Sequence, residues 1–315
     1  GHSVYIFCPR TGRMHERSTR DGKVFGFLSF PYILHREYRV VIPWSRRLGR
    51  LRDLRLDIIH TQDYFPVGIL GAFLGRRYRI PHVTTYHTLW SEYAHYSFLP
   101  GSLSKRILAW WAKTFCNLCD LVIAPTSLTR DVLLDYGVKR RIEVIPTGID
   151  RESLFPVSAE RMREKYGLPT GKRILVFVGR LGREKNLQFL LRTFSVIHGK
   201  RPDTILVLIG DGPDRNKLAR SARRLGIGED VFFPGFMKRE EVLGFLSLAD
   251  LFVFASKSET QGLALVEALA MRKPVVAVRA MGIADILEGD AGGFLVNEES
   301  GEFSEKVIRL LEDQA

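Results

Sequence analysis

Short apolar runs rich in β-branched residues alternate with longer stretches of helical periodicity along most of this 315-residue chain. Ten runs predict strands: Val4–Phe7, Ile58–His60, His82–Tyr86, Leu121–Ala124, Glu143–Ile145, Ile174–Val178, Thr204–Ile209, Val231–Phe233, Leu251–Ala255 and Pro274–Val278. The clearest of them are apolar continuously, not at alternate positions, which is the pattern of strands buried on both faces. Such strands spaced by helices predict the doubly wound α/β class, with parallel sheets covered on both sides. One break interrupts the alternation. Pro146-Thr147-Gly148-Ile149-Asp150 follows a strand, Leu154-Phe155-Pro156 comes next, and a charged helix from Ala159 to Tyr166 precedes a new strand–loop–helix series at Ile174. Pro and Gly clustered there mark a junction. Two domains, residues 1–153 and 154–315, are therefore expected, with one sheet in each.

Charge divides the chain at the same place. The net charge is +12, yet residues 1–155 hold 23 basic and 13 acidic side chains while the remainder holds 24 and 22. A basic excess confined to one half asks for an anionic partner: a membrane surface, nucleic acid or a phosphorylated substrate. Arg46, Arg47, Arg50, Arg52 and Arg55 form one cluster, and Arg76, Arg77 and Arg79 a second. The helical stretch Leu103–Leu118 carries Trp110-Trp111 with Lys105, Arg106 and Lys113. Trp beside Lys and Arg on an amphipathic helix is the composition of an interfacial anchor. Ile107, Trp111, Phe115 and Leu118, at helical spacing, read instead as a core face. That leaves Trp110 and the loop Tyr96-Ser97-Phe98-Leu99-Pro100 as membrane candidates, with Arg46, Arg47 and Arg50 beside them. No recognised nucleic-acid motif accompanies the charge, so nucleic acid is not the expected partner.

Other features restrict the setting. No apolar run approaches the roughly 18 residues of a membrane-spanning helix, and the first residues lack the pattern of a secretory signal. Three cysteines, Cys8, Cys116 and Cys119, are too few for a disulfide framework and suit a reducing cytosol. A cytoplasmic protein held peripherally at the inner face of the membrane is the expectation. Cys116-x-x-Cys119 is a lone pair of thiols, read as packing between a helix and a sheet instead of as a redox or metal motif.

Chemistry concentrates in the second half. Val178-Gly179-Arg180-Leu181-Gly182-Arg183-Glu184-Lys185-Asn186 joins a strand to the helix Leu187–His198. Its glycines allow a tight turn close to a ligand, the helix N-terminus favours anions, and Arg180 and Lys185 add two cations, a set that suits a diphosphate. Ser256-Lys257-Ser258-Glu259-Thr260-Gln261-Gly262 follows the strand Leu251–Ala255, and an apolar helix from Leu263 to Met271 carries Glu267. Glu259 falls at the carboxyl edge of the sheet, where ligands bind in such folds. Glu267 lies eight residues on, about two helical turns, so both carboxylates can face one crevice and accept hydrogen bonds from sugar hydroxyls. A charge on so apolar a helix wants a specific partner. Ile209-Gly210-Asp211-Gly212-Pro213 is a strand-ending turn and not the G-x-G-x-x-G of dinucleotide enzymes, which speaks against a dehydrogenase.

Arg180 with Lys185, the Gly-Asp-Gly-Pro turn, Pro234-Gly235-Phe236 and the Glu259-x7-Glu267 pair stand in the order found in retaining glycosyltransferases of family 4, which this sequence resembles over nearly its whole length. The resemblance implies the GT-B fold, two Rossmann-like domains facing across a cleft. It implies that Gly179, Arg180 and Lys185 hold the donor diphosphate, that Glu267 takes the ribose hydroxyls and that Glu259 contacts the transferred sugar. By the same likeness the backbone of Gln261, Gly262 and Leu263 caps phosphate and sugar, and that near Phe236 and Met237 meets the base. A front-face displacement with retention is implied, without metal or cofactor: the cations and helix N–H groups meet the charge growing on the leaving diphosphate, and no DxD cluster is seen. Family members usually open with a further strand, Gly-rich loop and helix before an element like Gly1-His2-Ser3-Val4, and close with a helix crossing back to the first domain. Those parts are expected to be missing here.

In the first half, Ile59-His60-Thr61-Gln62 and Thr84-Thr85-Tyr86-His87-Thr88 each end a strand and so share one sheet edge. With Glu37-Tyr38-Arg39, the stretch Leu89–Tyr96 and Ser258–Gln261, they resemble the subgroup that glucosylates diacylglycerol. By that resemblance His87 sits beside the anomeric carbon, and imidazole can donate or accept there near neutral pH. Four histidines between residues 60 and 95 are too scattered, and too far from carboxylates, to suggest a metal. The expected activity is hexose transfer, glucose above all, from a UDP-sugar to a lipid such as diacylglycerol. The alternatives are a soluble family 4 enzyme with a sugar or sugar-phosphate acceptor, a nucleotide-binding module without transfer activity, and, more remotely, a nucleotide-sugar epimerase.

Overall fold

The structure is a computed structural model that describes residues 2–10, 16–19, 22–31, 39–42, 53–91, 100–150, 152, 154, 159–287 and 292–313. The chain forms two compact units, one of Gly1–Pro125 with Arg130–Ile145 and the other of Thr126–Thr129 with Pro146–Ala315.

The first unit contains β1 (Tyr5–Pro9), β2 (Glu16–Thr19), β3 (Gly22–Phe27), β4 (Ser29–Pro31), β5 (Arg39–Val41), β6 (Ile59–Thr61), α1 (Pro66–Tyr78), β7 (His82–Thr85), α2 (Gly101–Cys116), β8 (Leu121–Ala124), α3 (Ser127–Asp135, whose first residues count with the second unit) and β9 (Ile142–Val144). Strands β6-β7-β8-β9 make a parallel sheet in that order. The expectation of a single sheet needs amendment here. Among the described residues β1-β3-β2 form a second sheet, with β2 antiparallel to β3, and β4-β5 a third. Sequence periodicity misses β2 because Glu16-Arg17-Ser18-Thr19 has no apolar residue to mark a face.

Helix α1 explains how the β6–β7 edge is shaped. Pro66 starts it, where the missing N–H costs nothing. Gly68 and Gly71 face inward: a methyl group at Gly68 would stand 1.8 Å from the Asp63 carbonyl oxygen, and one at Gly71 would stand 2.6 Å from Thr61 Cγ2. Glycine in a helix costs about 1 kcal/mol, and here it lets the helix lie directly on β6. Both thiols of the CxxC pair, one ending α2 and one before β8, are buried, and burial pushes the Cys116 thiol up to about 12.

The second unit comprises α4 (Ala159–Tyr166), β10 (Arg173–Val178), α5 (Leu187–Lys200), β11 (Thr204–Ile209), α6 (Arg215–Arg224), β12 (Val231–Gly235), α7 (Arg239–Leu248), β13 (Leu251–Phe254), α8 (Leu263–Ala270), β14 (Val275–Val278), α9 (Met281–Ala284), β15 (Gly293–Val296) and α10 (Ser300–Asp313). Its six strands are all parallel, in the order β12-β11-β10-β13-β14-β15. Every residue of β11, β13 and β14 is buried, which accounts for their unbroken apolar sequences. Successive strands run outward from β10 to one side and then, from β13, to the other. The strand order reverses between β10 and β13, the crevice where open α/β sheets take their ligands.

Candidate functional site

The two segments singled out by sequence leave the sheet on either side of that reversal. From β10 the chain passes through Gly179 and Arg180, makes one 3-10 turn over Arg183–Lys185 and enters α5 at Asn186, which takes the left-handed conformation. The adjoining turn after β11 keeps this loop in place: Leu181 N–H donates to the Asp211 carbonyl at 2.9 Å, and Asp214 N–H to the Leu181 carbonyl at 2.9 Å. Gly210, at φ 131°, sits so close that a Cβ would stand 2.0 Å from the Gly179 carbonyl oxygen. Only glycine meets both conditions, so the Gly-Asp-Gly-Pro turn is first of all a spacer that seats the Arg180 loop.

From β13 the chain passes through Glu259, Thr260 and Gln261 and enters α8 after Gly262. Ser256 to Gln261 is mostly buried, and Gln261 spends its side-chain amide on the backbone of Thr147, with both bonds at 2.9 Å. The two loops meet. Lys185 Nζ forms an ion pair with Glu259 Oε1, both side chains being largely buried. Lys257 pairs with Glu298 just beyond β15, and Asn186 donates its amide to the same Glu298 carboxylate at 2.8 Å. Glu298 thus ties both loops to a third one, which sequence reading missed because nothing in its neighbourhood suggests a ligand.

Glu267 lies on α8, its side chain 14% exposed, and receives Arg239 Nη1 at 2.5 Å from the start of α7. The specific partner wanted for this lone charge is therefore a residue outside the expected site. Arg239 is half exposed, so the pair itself contributes no more than about 1 kcal/mol. Glu259 and Glu267, expected to face one crevice, are each held by a cation. Phe236, just past β12, is 88% exposed, whereas Met237 is buried.

In the first unit, β6 and β7 carry His60, Gln62 and His87 at their carboxyl ends. Gln62 Oε1 accepts from His87 Nε2 at 2.5 Å, Gln62 Nε2 donates to His60 Nε2 at 3.2 Å, and Thr85 Oγ1 lies 2.7 Å from that same nitrogen. Burial lowers the His87 pKa, and the nearby His60 lowers it further, so the ring is neutral at pH 7. A cavity of about 1960 Å³ opens on the same unit. Ile6, Phe27, Leu56, Leu70 and Leu74 are among its apolar walls, and His60, Gln62 and Asp63 are at its polar side.

Helix α2 corrects the expected core face. Ser104, Ala112, Phe115 and Cys116 point inward, and Trp111 donates its indole N–H to the Tyr64 carbonyl at 3.1 Å. Ile107, expected in the core, is 43% exposed, and with Leu103 and Trp110 (61% exposed) it forms an outward apolar stripe beside exposed Lys105 and Arg106. Phe115, 1% exposed, fills the interior on this helix, while Trp110 stays on the outward face. Arg46, Arg47, Arg50 and Phe98 lie outside the described residues.

Two family models match the chain: Glycosyl transferases group 1 over residues 158–315, and Glycosyltransferase Family 4 over residues 1–153. The chain is 34% identical to the alpha-monoglucosyldiacylglycerol synthase of Streptococcus pneumoniae over 283 residues, which are 88% of this chain and 64% of that protein. It is 27% identical over 323 residues to the synthase of the same name from Acholeplasma laidlawii, covering 98% of this chain and 80% of that one. Among solved structures it is similar to Anabaena HepE in complex with UDP and glucose, with a TM-score of 0.72, 23% identity, and coverage of 93% of this chain and 77% of that one. A likeness at that identity speaks for the fold, GT-B.

Proposed function

Because this chain belongs to the glycosyltransferases of group 1 and family 4, we propose that it moves glucose from UDP-glucose to a lipid hydroxyl such as that of diacylglycerol, with retention at the anomeric carbon. The observation that carries the donor half is the gathering of Arg180, Lys185 and Glu259 at the strand-order reversal, on the loops after β10 and β13. In this reading Gly179, Arg180 and Lys185 receive the diphosphate, Glu259 the transferred sugar and Glu267 the ribose. The backbone at Gln261, Gly262 and Leu263 closes over phosphate and sugar, and that at Phe236 and Met237 lies along the base.

The chemistry asked of these residues is stabilisation of a departing diphosphate. Preorganised cations and helix N–H groups do this without a metal. Lys185 has to exchange Glu259 for phosphate, and that exchange frees the carboxylate to accept sugar hydroxyls as the donor settles. His87, neutral at pH 7, stands for the acceptor hydroxyl or the sugar. The lipid acceptor is supported by the names of the pneumococcal and Acholeplasma relatives and by the outward apolar stripe of α2 with its flanking cations. The large cavity supports it less. Its walls include the run His2–Pro9 and the run Leu54–Asp63, successive residues along the outer edges of β1 and β6, and strand edges present backbone groups that acyl chains cannot satisfy. We infer a cytoplasmic enzyme docked peripherally on an anionic membrane, without nucleic acid as partner.

The test is a donor screen on vesicles containing diacylglycerol, with products identified by mass spectrometry and each reaction run with and without EDTA. Glucosyldiacylglycerol from UDP-glucose, at an unchanged rate in EDTA, is the expected result. Loss of transfer in EDTA, restored by Mg²⁺ or Mn²⁺, would contradict the metal-free leaving-group chemistry. Transfer to a soluble sugar or sugar phosphate but not to lipid would install the soluble-acceptor reading. Glu267→Ala should weaken UDP binding by about 1.5–3 kcal/mol, the range for charge-assisted hydrogen bonds. Calorimetry with UDP checks this, and unchanged affinity would remove Glu267 from the ribose site.

A further inference from the structure

Gln62 stands just past β6 at the carboxyl edge of its sheet, between two histidines. Its side-chain amide bridges two imidazoles, and the chemistry of an amide constrains both. An amide nitrogen donates and cannot accept, so His60 Nε2, at 3.2 Å from Gln62 Nε2, must present its lone pair. The Thr85 hydroxyl, buried and 2.7 Å from that nitrogen, then also donates to it, and the His60 proton resides on Nδ1. With its NH₂ turned to His60, the Gln62 carbonyl faces His87 Nε2 at 2.5 Å and can only accept. His87 therefore carries its proton on Nε2, which makes Nδ1 its basic nitrogen.

We propose that Gln62 is a positioning residue for His87, fixing its Nε2–H tautomer through the amide oxygen it turns to that ring while its amide nitrogen faces His60. The catalytic part of this rests on the reading of His87 as the group that meets the acceptor hydroxyl or the sugar. Only a ring with a defined basic nitrogen accepts a hydrogen bond from a hydroxyl in the same way at each turnover. Among the described residues, His60 is a titratable neighbour whose charge reaches His87. If His60 took up a proton on Nε2 it could no longer accept from the amide. Burial lowers the His60 pKa and so disfavours that state.

The tautomer is read directly by ¹⁵N NMR of the full chain labelled at histidine, with His87 assigned by comparison with His87→Gln. Wild type should show a protonated Nε2 and an unprotonated Nδ1, and Gln62→Leu should show the two averaged. In glucosyl transfer from UDP-glucose to diacylglycerol vesicles, Gln62→Leu should lower kcat roughly tenfold or more with the donor KM nearly unchanged. Gln62→Glu still accepts from Nε2–H, so it should keep the tautomer and most of kcat. A carboxylate there favours the imidazolium, raises the His87 pKa and moves the acid limb of the rate profile up by about one pH unit. An unaltered His87 tautomer in Gln62→Leu overturns the proposal. A His87→Ala variant at wild-type kcat would overturn the catalytic reading of His87, and the NMR result would still decide what Gln62 does.

Discussion

Replacing Arg180 with alanine is expected to lower kcat for glycosyl transfer by about 10²–10³-fold, the loss typical of one preorganised group removed from a developing anion. The UDP affinity should fall far less. Arg180 stands at the end of β10, partly buried, where the field of a guanidinium is less screened than at the surface. An interaction that grows as negative charge gathers on the leaving phosphate appears in kcat, whereas one present equally in the bound ground state appears in KM. The same change at Lys185 would mix two effects. Lys185 neutralises a largely buried Glu259, and its removal would leave that carboxylate without its cation, mixing loop stability into the kinetics. The measurement is kcat with saturating donor beside the Kd for UDP. Equal losses in both would show that Arg180 binds ground state and transition state alike, and would end its assignment to leaving-group stabilisation.

The second large effect is expected at the membrane. Leu103, Ile107 and Trp110 stand one turn apart along the outer face of α2, with Lys105 and Arg106 between them. Moving such half-exposed side chains into the interfacial layer yields about 1 kcal/mol each, since full burial of one is worth about 1.5–3 kcal/mol. The triple change Leu103→Ser, Ile107→Ser, Trp110→Ser should thus weaken binding to anionic vesicles by roughly 100-fold, with about 1.4 kcal/mol per factor of ten. Binding of the wild type should also fall as salt rises, because the basic residues act over about 10 Å at 0.1 M. UDP affinity, a property of the second unit, should not change. Vesicle sedimentation at several salt concentrations checks both statements. A triple variant that sediments like wild type would remove α2 from the docking surface, and the arginines at 46, 47 and 50 would be the next to neutralise.

Much of the second unit was legible in the sequence because its strands are buried on both faces. Thr204-Ile205-Leu206-Val207-Leu208-Ile209 has no polar face to expose, so its composition alone fixes it as an interior parallel strand. The strands Glu16–Thr19 and Arg39–Val41 were not legible, since runs of four and three residues are too short to show a period. Helix α2 shows a different limit. Periodicity predicts one core face of Ile107, Trp111, Phe115 and Leu118, and only the packing shows that Phe115 is buried and Trp111 anchored to Tyr64 while Ile107 turns outward.

What the sequence by itself determined is the chemistry available: two cations after one strand, two carboxylates at helical spacing after another, and a histidine closing a third. Residue type and spacing carry that information, because charge, protonation and hydrogen-bonding capacity belong to the side chain wherever it stands. Which groups meet was decided by the tertiary structure. Lys185 and Glu259 are 74 residues apart, Arg239 and Glu267 are 28 apart, and Gln62 and His87 are 25 apart. The first and last of these pairs come together because parallel strands deliver their loops to the same carboxyl edge, and Arg239 and Glu267 because α7 and α8 follow two strands of one sheet. Strand order, set by which apolar faces bury one another, is a property of the whole sheet, and no local stretch of sequence specifies it.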